Sequence, residues 1–443
     1  VSTPPTPSAE RGLDGLRLFA LHGLALCLFL APAGVAAGLL LIWLWFLLRL
    51  MRGPRLPSHP VVWLALLFAL YALLQLGFPR VEPVAEGTAA WVVALSWAQL
   101  IVFVPVAYAL GGREPLVLRL LLLALIGLVL GTLWRLDWAL LVSDAAAFFD
   151  ARPGFGFPAL GYALFSGTAL IGLLTLRRRC WLRADGRLRP WALPLWGGAL
   201  VLLAEGFILT QARGSWLGLG LVGLLGLSLW LRQQLRVRGR VPRAPLISAA
   251  LALSVLIALN ASEILDRLSE EQEVAQQLLR GEQPVEQITS ITLRWSAQRF
   301  GLEHWLQRPW LGWGPGASYP LMLEAVADSA GSDAAAGLWD PTDGVLKHLH
   351  NSYLEILTQL GLVGLALWMA MAVLLMLGIV GGLRQRSLSR DLGLFLLLAL
   401  LYLALWSLFN FRMVHQDFRG YWALLAGVAL SLALYRPAAA EGR

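Results

Sequence analysis

Lys347-His348-Leu349-His350-Asn351-Ser352-Tyr353-Leu354-Glu355-Ile356-Leu357 marks the point where the longest polar stretch of this chain gives way to an apolar run reaching to about residue 382. The stretch before it, from Asp266 to Lys347, is rich in Glu, Gln, Arg and Trp, whereas most of the remaining sequence is apolar. A chain written in this way spends its length on membrane helices and concentrates its polar chemistry in one insert.

Working outward, 58% of the 443 residues are apolar and 14% are charged. The mean hydropathy is +0.68, so a water-soluble globular domain is excluded. Runs long enough to cross a bilayer lie near 14–32, 34–51, 60–78, 89–111, 115–134, 157–176, 191–210, 214–231, 244–262, 352–382, 391–411 and 419–436. The expected fold is therefore an all-α polytopic membrane protein of about twelve transmembrane helices with one large external insert. Its divisions are 1–262 with helices 1–9, the insert 263–351, and 352–443 with helices 10–12 and a cytoplasmic tail. The first apolar run leads into a second across a short turn at Pro32 and Gly34, so it is expected to be retained as a helix. Cys27 and Cys180 lie far apart in or beside apolar runs, and neither a disulfide framework nor a zinc site is suggested.

The net charge of +8 rests on arginine, because Lys347 is the single lysine. Counting from a cytoplasmic N-terminus, the even-numbered connections hold the dense clusters: Arg49, Arg52 and Arg55, then Arg177 to Arg179, then Arg232 to Arg243, then Arg384 to Arg390. Odd-numbered connections hold Arg80 with Glu82 and Glu86, Arg135 with Asp137 and Asp144, and the acidic insert. The alternation follows the positive-inside rule and puts both termini in the cytoplasm and the insert outside. No Walker-type glycine loop occurs, and ATP is not available on that face. Any transfer reaction there needs a substrate that already carries its activation.

Six arginines then lie on the side where the rule disfavours them: Arg213, Arg294, Arg299, Arg308, Arg412 and Arg419. Arg213 sits in Leu209-Thr210-Gln211-Ala212-Arg213-Gly214-Ser215-Trp216, a polar notch between two apolar runs. An arginine here either anchors the chain at the interface or holds an anionic headgroup, since a guanidinium fork matches phosphate oxygens. Gly214 and Ser215 would bring backbone N–H groups of a helix start to the same ligand. Arg294 lies in Ile291-Thr292-Leu293-Arg294-Trp295-Ser296-Ala297-Gln298-Arg299-Phe300, whose spacing puts Ile291, Trp295, Phe300 and Leu302 on one apolar side. The return through Trp305, Trp310 and Trp313, with its glycines and Pro309, suits an interfacial aromatic belt. His348 and His350, two apart, would point to different faces of a regular helix and so make a poor shared metal site. A neutral histidine at the membrane surface can instead serve as a general base.

Together, T-Q-A-R-G-S-W at 210–216, T-L-R-W-S-A-Q-R-F at 292–300 with R-P-W-L-G-W-G-P-G at 308–316, and H-N-S-Y-L-E-I-L-T-Q-L-G-L-V-G at 350–364 resemble the O-antigen ligase and Wzy-type polymerase superfamily. The resemblance spans roughly residues 195 to 380. It implies a GT-C-like membrane glycosyltransferase of the bacterial inner membrane with a periplasmic active site. The implied donor is a glycan on undecaprenyl pyrophosphate, the acceptor is lipid A–core oligosaccharide, and no cofactor or metal is implied. The family's two functional arginines and one histidine fall on Arg213, Arg294 and His350, with His348 open as an alternative base. The implied substrate-binding set is Arg213, Arg294, His348, Gln211, Ser215 and Asn351. Two other readings stay open: a polymerase joining lipid-linked repeats, and a lipid-linked glycan transporter or flippase, for which Glu205 is the main embedded acid.

Overall fold

Proline and glycine punctuate the apolar chain into helices. The computed structural model describes residues 7–53, 56–77, 89–182, 187–241, 243–261, 265, 280, 290–328, 338–340 and 344–435. Arg55, Arg80, Glu82 and Glu86, and nearly all of the first part of the insert, from 262 to 289, lie outside the described residues.

Each of the twelve apolar stretches carries a helix. In order these are Pro7–Cys27, Pro32–Met51, Pro60–Leu74, Ala90–Ala98 continuing through a 3-10 turn into Phe103–Leu110, Glu114–Trp134, Ala159–Thr175, Ala192–Leu209, Arg213–Arg238, Arg243–Leu259, Ser352–Arg384, Arg390–Trp406 and Gln416–Leu434. Among the described residues, seven helical segments are both long and apolar enough to cross a membrane. Pro32 and Pro60 open their helices at the first position, where the missing N–H costs nothing. Leu40, Trp63, Trp91 and Leu224 project from the bundle, each exposed by 63 to 69%, a pattern that belongs to a lipid-facing surface. The insert contributes the helices Ser290–Gln307 and Ser318–Asp328 and a two-residue antiparallel pair, Trp339–Asp340 with Gly344–Val345.

Two constraints fix the ends of the bundle. Arg179 bonds both Glu114, at 2.9 Å, and Asp391, tying three segments together on the side rich in arginine. Arg135 reaches across the other side to the carbonyls of Phe29, at 2.9 Å, and Leu30, at 2.7 Å, meeting acceptors left open past a helix end.

The long helix Ser352–Arg384 is broken at Gly361, where φ is 65° and ψ is −169°. A break within a helix long and apolar enough to cross a membrane leaves backbone groups that lipid cannot satisfy. The insert satisfies them. Trp313 N–H and Gly314 N–H donate to the Thr358 and Gln359 carbonyls at 2.8 and 2.9 Å, and Leu362 N–H and Val363 N–H donate to the Pro309 and Trp310 carbonyls. Tyr71 donates its hydroxyl to the Leu360 carbonyl at 2.7 Å, and Gln75 reaches the Leu311 carbonyl at 2.9 Å. The Trp-Gly-rich return is thus a backbone clasp around a helix break, while Trp310 itself stays exposed.

A side chain at Gly361 would run into the Trp310 carbonyl and would have to adopt a left-handed φ. Gly361→Ala is expected to cost about 2 kcal/mol or more and to lower the Tm of the purified protein. Gly223→Ala, with open space around it, serves as the control and leaves the Tm unchanged or slightly raised.

Candidate functional site

The notch is a helix end, a turn and a helix start. The helix Ala192–Leu209 stops, Gln211 takes a left-handed φ of 51°, and the next helix opens at Arg213 with no side-chain cap. Thr210 closes the old helix by donating to the Phe207 carbonyl at 2.7 Å. Its own carbonyl is held by the Arg152 guanidinium at 3.3 to 3.4 Å. Ser215 is fully buried, and Phe409 packs against Gly214. The notch is therefore set into the bundle beside the loop that precedes the last helix.

Arg294 comes to this notch from the insert. Its helix uses the face that the spacing suggested only in part: Phe300 is buried and Ile291 half-buried, but Trp295 and Leu302 are exposed, and Thr292 and Ala297 are buried instead. The reason is the close approach at Gly301, where any side chain would meet Leu349 Cδ1 at 2.6 Å. The helix lies flat on Leu349 and Leu354, within a small core shared with Met322, Val345 and Leu346. That contact turns Arg294 inward. Burial, followed by the positive charges of Arg152 and Arg213, pushes its pKa down to about 10. Its Nε is buried without a hydrogen-bond partner.

The other arginines on this side divide differently. Arg299 pairs with Glu303 at 2.9 Å, Arg412 with Asp417 at 2.7 Å, Arg308 lies 4.1 Å over the Trp313 ring, and Arg419 bonds Gln99. Each of these has a structural partner of its own. Arg294 instead faces two further cations.

The histidines stand on a turn rather than on a helix. Asn351 is the N-cap, accepting from Tyr353 N–H at 3.0 Å and Leu354 N–H at 3.1 Å, and the helix begins at Ser352. Capping accounts for Asn351 without any substrate. His350 has a φ of 53°, which bends the chain so that its ring lies 4.3 Å from that of His348. His348 Nδ1 accepts the His350 backbone N–H at 3.4 Å. Burial, then His350, His415, Arg412 and Arg294, hold the His348 pKa well below the usual imidazole range. His348 is accordingly neutral near pH 7 and a weak base. His415 is also pushed down, by burial and by Arg412.

A buried polar relay holds this turn. Glu355, 1% exposed, accepts the Leu349 N–H at 2.8 Å and the Gln359 amide at 2.7 Å. Gln359 Oε1 in turn accepts from Trp97 Nε1 at 2.9 Å and Gly316 N–H at 3.0 Å. Ser352 adds a bond from its hydroxyl to the Asn410 carbonyl at 2.6 Å. The histidine turn is thus braced by the first turns of the helix it precedes and by the insert clasp.

The arrangement brings together Arg213, Arg294, His348 and His350, with Gln211 and Ser215 in the notch. It adds Arg152, His415 and Arg412, of which sequence reasoning had singled out Arg412 alone, and that only as a charge on the disfavoured side. Arg152 precedes Pro153-Gly154-Phe155-Gly156, a turn-rich run that was the available signal, and its own φ of 49° is left-handed. Three left-handed non-glycine residues, Arg152, Gln211 and His350, thus gather at one site, as strained backbone does where geometry serves function. Helix starts at Arg213, Ser352 and Gln416 bring positive dipole ends to the same region. The chemistry of the donor set is that of an anion receptor with an adjacent imidazole. Glu205, the embedded acid, accepts from Asn260 at 3.1 Å and has a packing partner.

No curated protein matches the chain. Residues 198–369 match the model of a family described as O-antigen ligase. That stretch holds Arg213, Arg294, both histidines and the broken helix, and in it the chain is similar to the O-antigen ligase and Wzy-type polymerase superfamily that its motifs resemble.

Proposed function

We propose that the chain is a polytopic inner-membrane glycosyltransferase of about twelve spans that transfers a glycan from undecaprenyl pyrophosphate to a sugar hydroxyl of lipid A–core oligosaccharide on the periplasmic face. The observation that carries this reading is the convergence of Arg294, its Nε buried without a hydrogen-bond partner, on Arg152 and Arg213. Burial and these two like charges lower its pKa to about 10, so it remains a cation near neutral pH, and a bound diphosphate would offset the repulsion. Similarity over residues 198–369 to a family described as O-antigen ligase, and a site that gathers several guanidiniums, support this substrate class.

In the proposed reaction Arg213 and Arg294, with Arg152 behind them, hold the donor diphosphate and stabilise the charge that develops as it leaves. His350 takes the proton of the acceptor hydroxyl. The hydroxyl oxygen attacks the anomeric carbon as the bond to the diphosphate oxygen breaks, and undecaprenyl pyrophosphate departs with the electron pair. One displacement inverts the anomeric centre. His350 suits the base better than His348, because burial and then its charged neighbours push the His348 pKa well down, which makes it a weak base, and its Nδ1 is taken by the His350 backbone N–H. Glu355 acts as a positioning residue through Leu349. Of the carboxylates that a covalent intermediate would need, Glu324 is exposed on the helix Ser318–Asp328, Asp340 belongs to the short strand Trp339–Asp340, and Asp343 lies outside the described residues. The guanidiniums supply the neutralisation that a divalent metal would otherwise provide. The second reading, a polymerase joining two lipid-linked repeats, uses the same donor site and differs in the acceptor.

The test is transfer by purified protein offered lipid-linked glycan with either lipid A–core or a second lipid-linked repeat. Product on lipid A–core is expected, and product only on the lipid-linked repeat would favour the polymerase. Arg213→Ala, Arg294→Ala and His350→Ala should each reach the membrane at normal levels yet lose about a hundred-fold or more in rate. Normal rates in all three would sink the site assignment. Transfer should also persist in excess chelator, and loss restored by magnesium or manganese would reject the metal-free step.

A further inference from the structure

At the end of the bundle where Arg179 binds Glu114 and Asp391, a cavity of about 490 Å³ opens among four arginines. Arg17 comes from the first helix, Arg49 and Arg52 from the end of the second, and Arg113 from the turn before Glu114–Trp134. Asp14 is the single carboxylate on the lining. It meets Arg17 at 3.2 Å and is itself 66% exposed, whereas the Arg17 side chain is only 13% exposed. Arg17 Nε is buried with no hydrogen-bond partner. Cationic residues at this end satisfy the positive-inside rule wherever they point. Here four of them, from three separate segments, converge on one space.

The walls of that space identify the ligand's other half. Trp45, Arg49 and Arg52, at i, i+4 and i+7, turn one face of the helix Pro32–Met51 into the cavity, together with Tyr108 and Tyr435. The adjoining face of the same helix leaves Leu44, Leu47 and Met51 exposed, Met51 by 84%. A molecule seated here would have an anionic group among guanidiniums and an apolar body along a lipid-facing helix surface. A free anion would use only the first of these features. Basic pockets between helices on the cytoplasmic side are suited to phospholipid headgroups.

We propose that this arginine cavity is a binding site for the phosphate headgroup of an anionic glycerophospholipid, separate from the external transfer site. The headgroup phosphate accepts from Arg17 and Arg49, Arg52 and Arg113 close over it, and an acyl chain lies along Leu44, Leu47 and Met51.

The full-length protein in uncharged detergent micelles would be titrated with radiolabelled phosphatidylglycerol, with phosphatidylcholine and with inorganic phosphate or pyrophosphate as competitors at equal concentration. Saturable binding of phosphatidylglycerol is expected, with little displacement by the other three. Arg17→Gln with Arg49→Gln should weaken it about thirty-fold. Because Arg17 is buried, Arg52→Gln with Arg113→Gln, at exposed positions, provides a second pair, expected to weaken binding with no loss of Tm. Arg236→Gln with Arg238→Gln, which removes the same charge from a distant exposed helix end, should bind as wild type. Equal displacement by inorganic phosphate or phosphatidylcholine, or equal weakening by the distant pair, would overturn the proposal. Glycan transfer by the Arg52 and Arg113 pair reports on the external site independently.

Discussion

An apolar helix that breaks along its length must find partners for its backbone within the protein wherever lipid surrounds it, and the break at Gly361 finds them in the insert. The carbonyls of Thr358 and Gln359 and the N–H groups of Leu362 and Val363 are all taken by residues 309–314. This clasp makes the insert part of the bundle. With the clasp closed, Gln359 and Glu355 are fixed, Leu349 is fixed through Glu355, and the helix bearing Arg294 can lie on Leu349 through Gly301. The same break therefore sets both the cation and the histidine turn.

The consequence is electrostatic. Arg152 and Arg213 act as like charges on the partly buried Arg294, a costly arrangement in the absence of an anion. Burial, followed by neighbouring positive groups that include Arg412 and Arg294 for His348 and Arg412 and Arg419 for His415, pushes these two imidazoles toward neutrality. The His350 imidazole beside a cation cluster is the combination that a displacement from a diphosphate requires: a leaving group whose charge is met, and an acceptor for a proton. The proposed activity rests on this pairing more than on any single residue.

The helices were legible in the sequence because about twenty consecutive apolar residues have few alternatives to a membrane helix. Arg213 and Arg294 were legible because the positive-inside rule makes an arginine on the other side conspicuous. Other features were not, for physical reasons. Periodicity placed Phe300 correctly on the buried face of the Arg294 helix but not Trp295 and Leu302, since a close approach at Gly301 outweighed their apolar pull. His350 was weighed as a helical position, although its left-handed φ ends that possibility one residue before the Asn351 cap. Arg152 was passed over because it lies among the acids of a loop whose fold depends on contacts with Thr210, remote in sequence. The clasp itself, made of backbone bonds between 309–314 and 358–363, has no side-chain signature beyond its glycines.

The most direct measurement is a structure of the protein in nanodiscs with undecaprenyl pyrophosphate bound. The account predicts density for the diphosphate within hydrogen-bonding distance of Arg213 and Arg294, with Arg152 beside it and His350 facing the glycan end. A diphosphate resolved elsewhere, with Arg294 still directed at Arg152 and Arg213 and no anion between them, would contradict it.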